Sequence, residues 1–133
     1  MQVIITEWAL SSYLDLVGQH QFTKEQYRDI IRPDVQRLND FPNDIAFSQS
    51  NFWGPSTDRS GNNVRNGFKM KWHNLGSGNV QLRLSVAILG AQAFLCRAYV
   101  KNSDSTDKRE AANLKNHIQD IVLRKYQFRG ILP

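Results

Sequence analysis

The strongest constraint on the fold lies in residues 67–101, where three consecutive runs alternate apolar and polar residues with a period of two. Phe68, Met70 and Trp72 alternate with Lys69, Lys71 and His73. Val80, Leu82, Leu84, Val86 and Ile88 alternate with Gln81, Arg83, Ser85 and Ala87, and Phe94, Cys96, Ala98 and Val100 with Leu95, Arg97, Tyr99 and Lys101. Successive strand side chains point to opposite faces, so each run predicts a strand with an even-numbered core face and an odd-numbered second face. That second face gathers Lys69, Lys71, Arg83, Arg97 and Lys101 with His73 and Tyr99. Such a surface suits a phosphate backbone.

The connections decide whether the three polar faces coincide, because residues directly opposite in an antiparallel pair share a side. A three-residue loop Leu89-Gly90-Ala91 sets Ile88 opposite Gln92 and Arg83 opposite Arg97, with Gly90 free for a left-handed conformation. A two-residue Gly90-Ala91 turn would slip the register and drive Arg97 into the core, where an unpaired charge is costly. A five-residue loop over 74–78, containing Gly-Ser-Gly, sets Lys71 opposite Gln81 and Lys69 opposite Arg83. The expected rows are therefore Lys69/Arg83/Arg97 and Lys71/Gln81/Tyr99. Like charges facing each other cost a few tenths to about 1 kcal/mol per pair, a cost that an anionic ligand would offset. A solvated, merely basic sheet face is the competing reading.

The rest of the chain supplies the elements around this sheet. Residues 2–6 are β-branched and read as a strand, and residues 8–17 as a short helix stopped by Gly18. Thr23 and Gln26 have capping-box spacing, and Phe22 with Tyr27 that of a hydrophobic staple. The stripe Tyr27, Ile30, Ile31, Val35 and Leu38 continues this helix across Pro33, which either kinks it or begins another. Residues 40–66 form a long irregular segment with an extended piece at 46–53. A final helix, capped by Ser105 or Thr106, carries the stripe Ala111, Leu114, Ile118, Ile121 and Val122. A basic, aromatic stretch at 124–130 follows it. The order β-α-α-β-β-β-α predicts an α+β domain, with an antiparallel sheet and helices packed on one face while the other stays available.

At 133 residues the chain is expected to be a single domain over 1–133. Its net charge of +5 points to an anionic partner. The single cysteine, Cys96, excludes an internal disulfide and reads as a packed core residue in a reducing compartment. With no basic, apolar leader at its start and no run approaching the ~18 apolar residues of a membrane span, the chain is expected to be cytoplasmic and without a membrane partner.

His20, His73 and His117 share no ligand spacing, so no metal and no cofactor is expected. No P-loop, dinucleotide fingerprint or nucleophile elbow occurs, and the predicted sheet face carries no carboxylate pair. RNA brings its own nucleophile, the 2′-hydroxyl, so a metal-free site needs a base, an acid and cations around the phosphorane. Repulsion among clustered cations lowers a lysine pKa, which makes Lys69 or Lys71 a candidate base. Arg83 and Arg97 suit bidentate phosphate contacts. His73 is a candidate acid or base, and Tyr99, Tyr126 or Phe128 can stack on a base.

The run Phe68-Lys69-Met70-Lys71-Trp72, then Leu82-Arg83-Leu84, Val100-Lys101 and Lys108-Arg109-Glu110 entering a helix, resembles the RelE/ParE toxin superfamily. The resemblance implies a RelE-like fold and a toxin of a toxin–antitoxin system. Its activity would be that of a metal-independent mRNA endoribonuclease acting on the ribosome, with a cognate antitoxin, mRNA and the ribosome as partners. It implies catalytic roles for Lys69, Lys71 and Arg83, with Tyr126 the nearest candidate for the family's C-terminal catalytic residue. The family's later arginine falls near Arg97, Lys101 or Arg109. His73, Gln81, Arg97, Tyr99, Lys101 and Arg129 are expected RNA contacts. The long 40–66 segment, and the lack of a tyrosine in the first turns of the final helix, depart from the pattern. Two other functions fit the same face: a ParE-like inhibitor of DNA gyrase without nuclease activity, and a non-catalytic RNA- or ribosome-binding module.

Overall fold

The structure is a computed structural model that describes residues 1–75 and 78–133. Gly76 and Ser77, the centre of the expected 74–78 loop, lie outside the described residues. A six-stranded sheet organises the chain, in the order β2-β3-β4-β5-β1-β6. Its strands are β1 (Gln2–Thr6), β2 (Trp53–Thr57), β3 (Asn63–Leu75), β4 (Val80–Leu89), β5 (Gln92–Val100) and β6 (Phe128–Leu132). The helices are α1 (Glu7–Gly18), α2 (Lys24–Gln26), α3 (Arg32–Gln36) and α4 (Asp104–Val122). The α+β class holds, and the sheet is mostly antiparallel. The β1–β5 pair is parallel, which corrects the expectation of a wholly antiparallel sheet.

The three central strands occupy the expected segments, but both registers differ from expectation. The β4–β5 turn is the two-residue Gly90-Ala91, pairing Leu89 with Gln92, and Gly90 takes φ 61. The slip this introduces is cancelled further along. Pairing runs Val86 to Leu95 and then Ser85 to Arg97, so Cys96 is an extra residue, a β-bulge. Cys96 packs against Leu114 and Ile121 of α4, on the same side as Arg97, while Ala98 and Val100 return to the opposite face. Arg97 therefore stays out of the apolar core despite the short turn. On the other side, Lys71 pairs with Arg83 and Lys69 with Ser85. The observed rows are Lys69/Ser85/Arg97 and Lys71/Arg83/Tyr99. The two-residue offset keeps Lys69, Lys71, Arg83, Arg97 and Tyr99 on one face, but ahead of the bulge the parity of β5 is inverted: Phe94 and Cys96 face α4 and Leu95 joins the opposite core, which corrects the expectation that Phe94 and Cys96 share a face with Ala98 and Val100.

Both faces of this sheet are covered, which corrects the expectation of one free face. On one side Met70, Trp72, Leu82, Leu84 and Val86 pack with Ala9, Leu16, Ile31 and Val35 from the N-terminal helices. On the other, Ala87, Phe94 and Cys96 pack with Leu114 and Ile121 of α4. Leu114 is fully buried, and a Cβ placed on Gly67 would lie 2.9 Å from its Cδ2 and 2.8 Å from Val64 Cγ1. Only glycine lets β3 and α4 approach this closely at that point.

Local details follow the chemistry of the termini. Thr23 and Gln26 make the full capping box, at 3.0 and 2.9 Å. Phe22 and Tyr27 both pack on Tyr13. Between α2 and α3 the helix widens to a π turn over Tyr27–Ile31, with Pro33 in the first turn of α3, so the proline neither ends the helical path nor leaves it regular. Ser12 Oγ accepts a 2.9 Å hydrogen bond from the Ala98 amide beyond the end of β1, satisfying a strand donor that has no neighbouring strand there.

Within 40–66 the expected extended piece at 46–53 is instead a 3₁₀ turn, Ile45–Ser48, and the strand β2 follows it. Pro55 lies in β2 because β2 is an edge, where a missing donor costs the ladder nothing. The cap of α4 is Ser103 rather than Ser105 or Thr106, and its hydroxyl makes no capping bond. The terminal stretch forms β6 on the opposite edge, against β1. Among the described residues no helix is long and apolar enough to cross a membrane.

Candidate nucleic-acid interface

Lys69, Lys71, Arg83, Tyr99 and Lys101 come together beside the first turns of α4. Adjacent strands present Lys71, Arg83 and Tyr99 in one cross-strand row, and Lys69 lies two residues along β3 on the same face. At the centre is Asp107. Its carboxylate accepts from Tyr99 Oη at 2.8 Å, Lys101 Nζ at 2.9 Å and Lys69 Nζ at 3.2 Å. The side chains of Lys69 and Asp107 are only 17% and 11% exposed, so this pair is shielded from solvent. Burial pushes the Asp107 carboxyl up, but the hydrogen bonds from Lys101 and Tyr99 and the nearby Lys69 charge outweigh it, and the net shift is downward. Burial, together with the Asp107 charge, raises Tyr99 far above the usual phenol range. Tyr99 is thus a fixed donor and stays protonated.

Lys71 differs from its neighbours. Its ammonium donates to the Ser50 carbonyl at 2.8 Å and makes no carboxylate contact among the described residues. Desolvation and then the positive charges of Lys69 and Arg83 lower its pKa, against the opposing pull of Asp107. Of the residues named from sequence it best fits a base. Arg83 is 3% exposed, and much of its guanidinium is committed to structure. Nη1 donates to the Trp72 and Leu82 carbonyls, both at 3.1 Å, and Nη2 to Gln81 Oε1 at 3.1 Å. Its Nε is buried without a hydrogen-bond partner among the described residues. Desolvation lowers its pKa, though a guanidinium remains charged throughout the physiological range.

The remaining sequence-named residues separate from this centre. Arg97 turns to α4 and pairs with the buried Glu110 carboxylate at 3.1 Å, itself held by Asn113 at 2.9 Å. His73 is exposed on β3, with Nε2 2.8 Å from the Asn51 carbonyl oxygen. Gln81 serves Arg83. Tyr126 packs edge-on against Phe94, five residues from Tyr99 along β5 and hence roughly 16 Å away at strand rise, so it does not share the Lys71 site. Arg129 sits on the β6 edge, paired with Glu7 and bonded to Gln127 at 2.9 Å. Cys96 is fully buried, and burial pushes its thiol up to about 12, which removes it as a nucleophile.

Sequence reasoning missed the two carboxylates that organise the face, Asp107 and Glu110. The signal was present. Asp107, Glu110, Ala111 and Leu114 recur at helical spacing, so the acidic pair begins the same inward stripe as the apolar residues. His117, weighed from sequence only as a metal ligand, stacks on Trp8 with centroids 4.0 Å apart, and its Nδ1 is buried without a partner among the described residues. Burial, and then the Arg97 charge, lower its pKa.

No model of a known protein family matches this chain, and no curated protein matches it.

Proposed function

We propose that the chain is a RelE-like toxin that cleaves mRNA on the ribosome without a metal, and that a cognate antitoxin restrains it. The observation that carries this reading is Lys71, a desolvated ammonium flanked by Lys69 and Arg83 and free of any carboxylate contact among the described residues. The sequence resemblance at Lys69, Lys71 and Arg83 supports it independently. In the proposed reaction neutral Lys71 takes the proton of the 2′-hydroxyl as that oxygen bonds to phosphorus. The 5′-oxygen leaves with a proton from an ammonium of the same cluster, for which Lys101, 24% exposed, is the best placed. The products are a 2′,3′-cyclic phosphate and a 5′-hydroxyl. Lys69 stabilises the phosphorane charge directly and the buried Arg83 guanidinium does so through its charge, and the entering phosphate takes donors that Asp107 now holds.

Asp107 also favours a second reading, non-catalytic binding of RNA or ribosome, because it already occupies three of the donors. The two separate experimentally. Induction of the wild-type chain should arrest growth and leave transcripts with cyclic-phosphate ends, and Lys71→Ala should abolish both. Salt-sensitive RNA binding with RNA of unchanged length supports the second reading instead. Inhibition of gyrase supercoiling without RNA cleavage would replace both with a ParE-like activity.

A further inference from the structure

On the face of the sheet opposite the cationic centre, an apolar cavity of about 150 Å³ opens between α1, the π turn and the strands. Tyr13, Phe22, Tyr27, Ile31, Leu84 and Leu95 form much of its wall. Protein interiors are close-packed, and an apolar void of about 150 Å³ stays dry and accepts a molecule the size of benzene. The lining carries polar groups as well. Arg32, its only charged lining residue, is exposed and has no carboxylate partner among the described residues. Its neighbours in the same helical path are paired, Arg28 with Asp29 and Arg37 with Asp34 and Asp44. The hydroxyls of Tyr13 and Tyr27, whose rings lie 4.9 Å apart, likewise have no protein hydrogen-bond partner among the described residues. Two cavity residues, Tyr27 and Ile31, bound the π turn, an irregularity frequent at functional sites.

An apolar chamber whose lining includes a few polar groups is the ordinary build of a small-molecule site. We propose that this cavity binds a small monocarboxylate with an aromatic ring or a short alkyl chain, the apolar part inside and the carboxylate on Arg32 and the two tyrosine hydroxyls. The site is separate from the Lys71 centre and independent of the activity proposed there.

Protein-observed NMR titration of the full chain with phenylacetate, hexanoate, hexanol and hexylamine tests this. The carboxylates should bind with Kd on the order of 1 mM or tighter, shifting Tyr13, Tyr27 and Leu84 signals. Arg32→Gln should weaken the carboxylates about tenfold and leave hexanol unchanged, since only the former lose a charge-assisted bond. Ala9→Leu, which adds bulk to the cavity wall, should remove binding of all of them; Tyr27→Phe gives a milder check should that variant fold poorly, weakening the carboxylates alone. The proposal is overturned if hexylamine binds as well as hexanoate, if Arg32→Gln has no effect, or if the shifts map to Lys71 and Lys101.

Discussion

The two faces of the central sheet are built from the same three strands and are covered in opposite ways. Toward α1 and α3, Met70, Trp72, Leu82 and Leu84 meet other apolar side chains, with polar ties from Trp72 Nε1 to Asp34 and from the Ala98 amide to Ser12 Oγ, both at 2.9 Å. Toward α4, the apolar contacts of Ala87, Phe94 and Cys96 occupy one end of the strands, while the other end holds Lys69, Lys71, Arg83, Tyr99 and Lys101 around Asp107. A strand pattern states which residues share a face. It does not state whether water, a ligand or a helix carrying counter-charges will cover that face.

Substitutions can break the comparison, and the largest effects should come from the apolar contacts. Met70 and Leu114 are both fully buried, one on each side, so Met70→Ala and Leu114→Ala should each cost roughly 3–5 kcal/mol in urea unfolding. A cost at Leu114 near zero would mean that α4 is not part of the core. Next in size is Asp107→Ala, which leaves Lys69 and Lys101 without their shared, shielded anion and should cost about 2–3 kcal/mol. Gly67→Ala forces contact with Val64 and Leu114 and should cost about 1–3 kcal/mol, whereas a free second face would absorb it.

The smallest effect is a pH dependence. The Asp107 carboxyl is held below its ordinary 3.8, so its contribution is present above that pH and is lost as pH falls through the lower folded value. The stability gap between wild type and Asp107→Asn should therefore narrow below about pH 4. A gap that stays constant down to pH 2 would place the Asp107 interactions outside the stabilising network.

The central strands, and the parity of β3 and β4, were legible because alternation of this length has one physical meaning, whereas Phe94, Leu95 and Cys96 of β5 lie on the faces opposite to those the alternation predicts. The register was not. A bulge at Cys96 is a backbone irregularity with no residue signature, and it reverses the effect of the short turn that the charge on Arg97 made unattractive. β2 was hidden because Gly54 and Pro55 interrupt its pattern, which only an edge strand tolerates. β6 was hidden because Arg129 and Gly130 sit within a run that reads as a basic tail. Of the cationic site, Lys69, Lys71, Arg83, Tyr99 and Lys101 were legible from the strand faces. Their counter-ion was not, because it comes from another element whose packing side depends on the tertiary fold. Tyr126 lies on the wrong end of the sheet for the same reason: proximity to the C-terminus says nothing about which end of β5 the chain returns to.

On the proposed function, Lys71 is held desolvated among like charges at a cost to folding because the depressed pKa lets its neutral amine act as the base on RNA. A lysine whose folded pKa is depressed loses stability at neutral pH relative to an uncharged side chain of similar length, so Lys71→Met should be as stable as the wild type or more so. The decisive measurement pairs the urea midpoint of Lys71→Met with its cleavage of mRNA on translating ribosomes. The account predicts an unchanged or raised midpoint with cleavage lost; cleavage that persists in the variant, or is absent from the wild type, would contradict it.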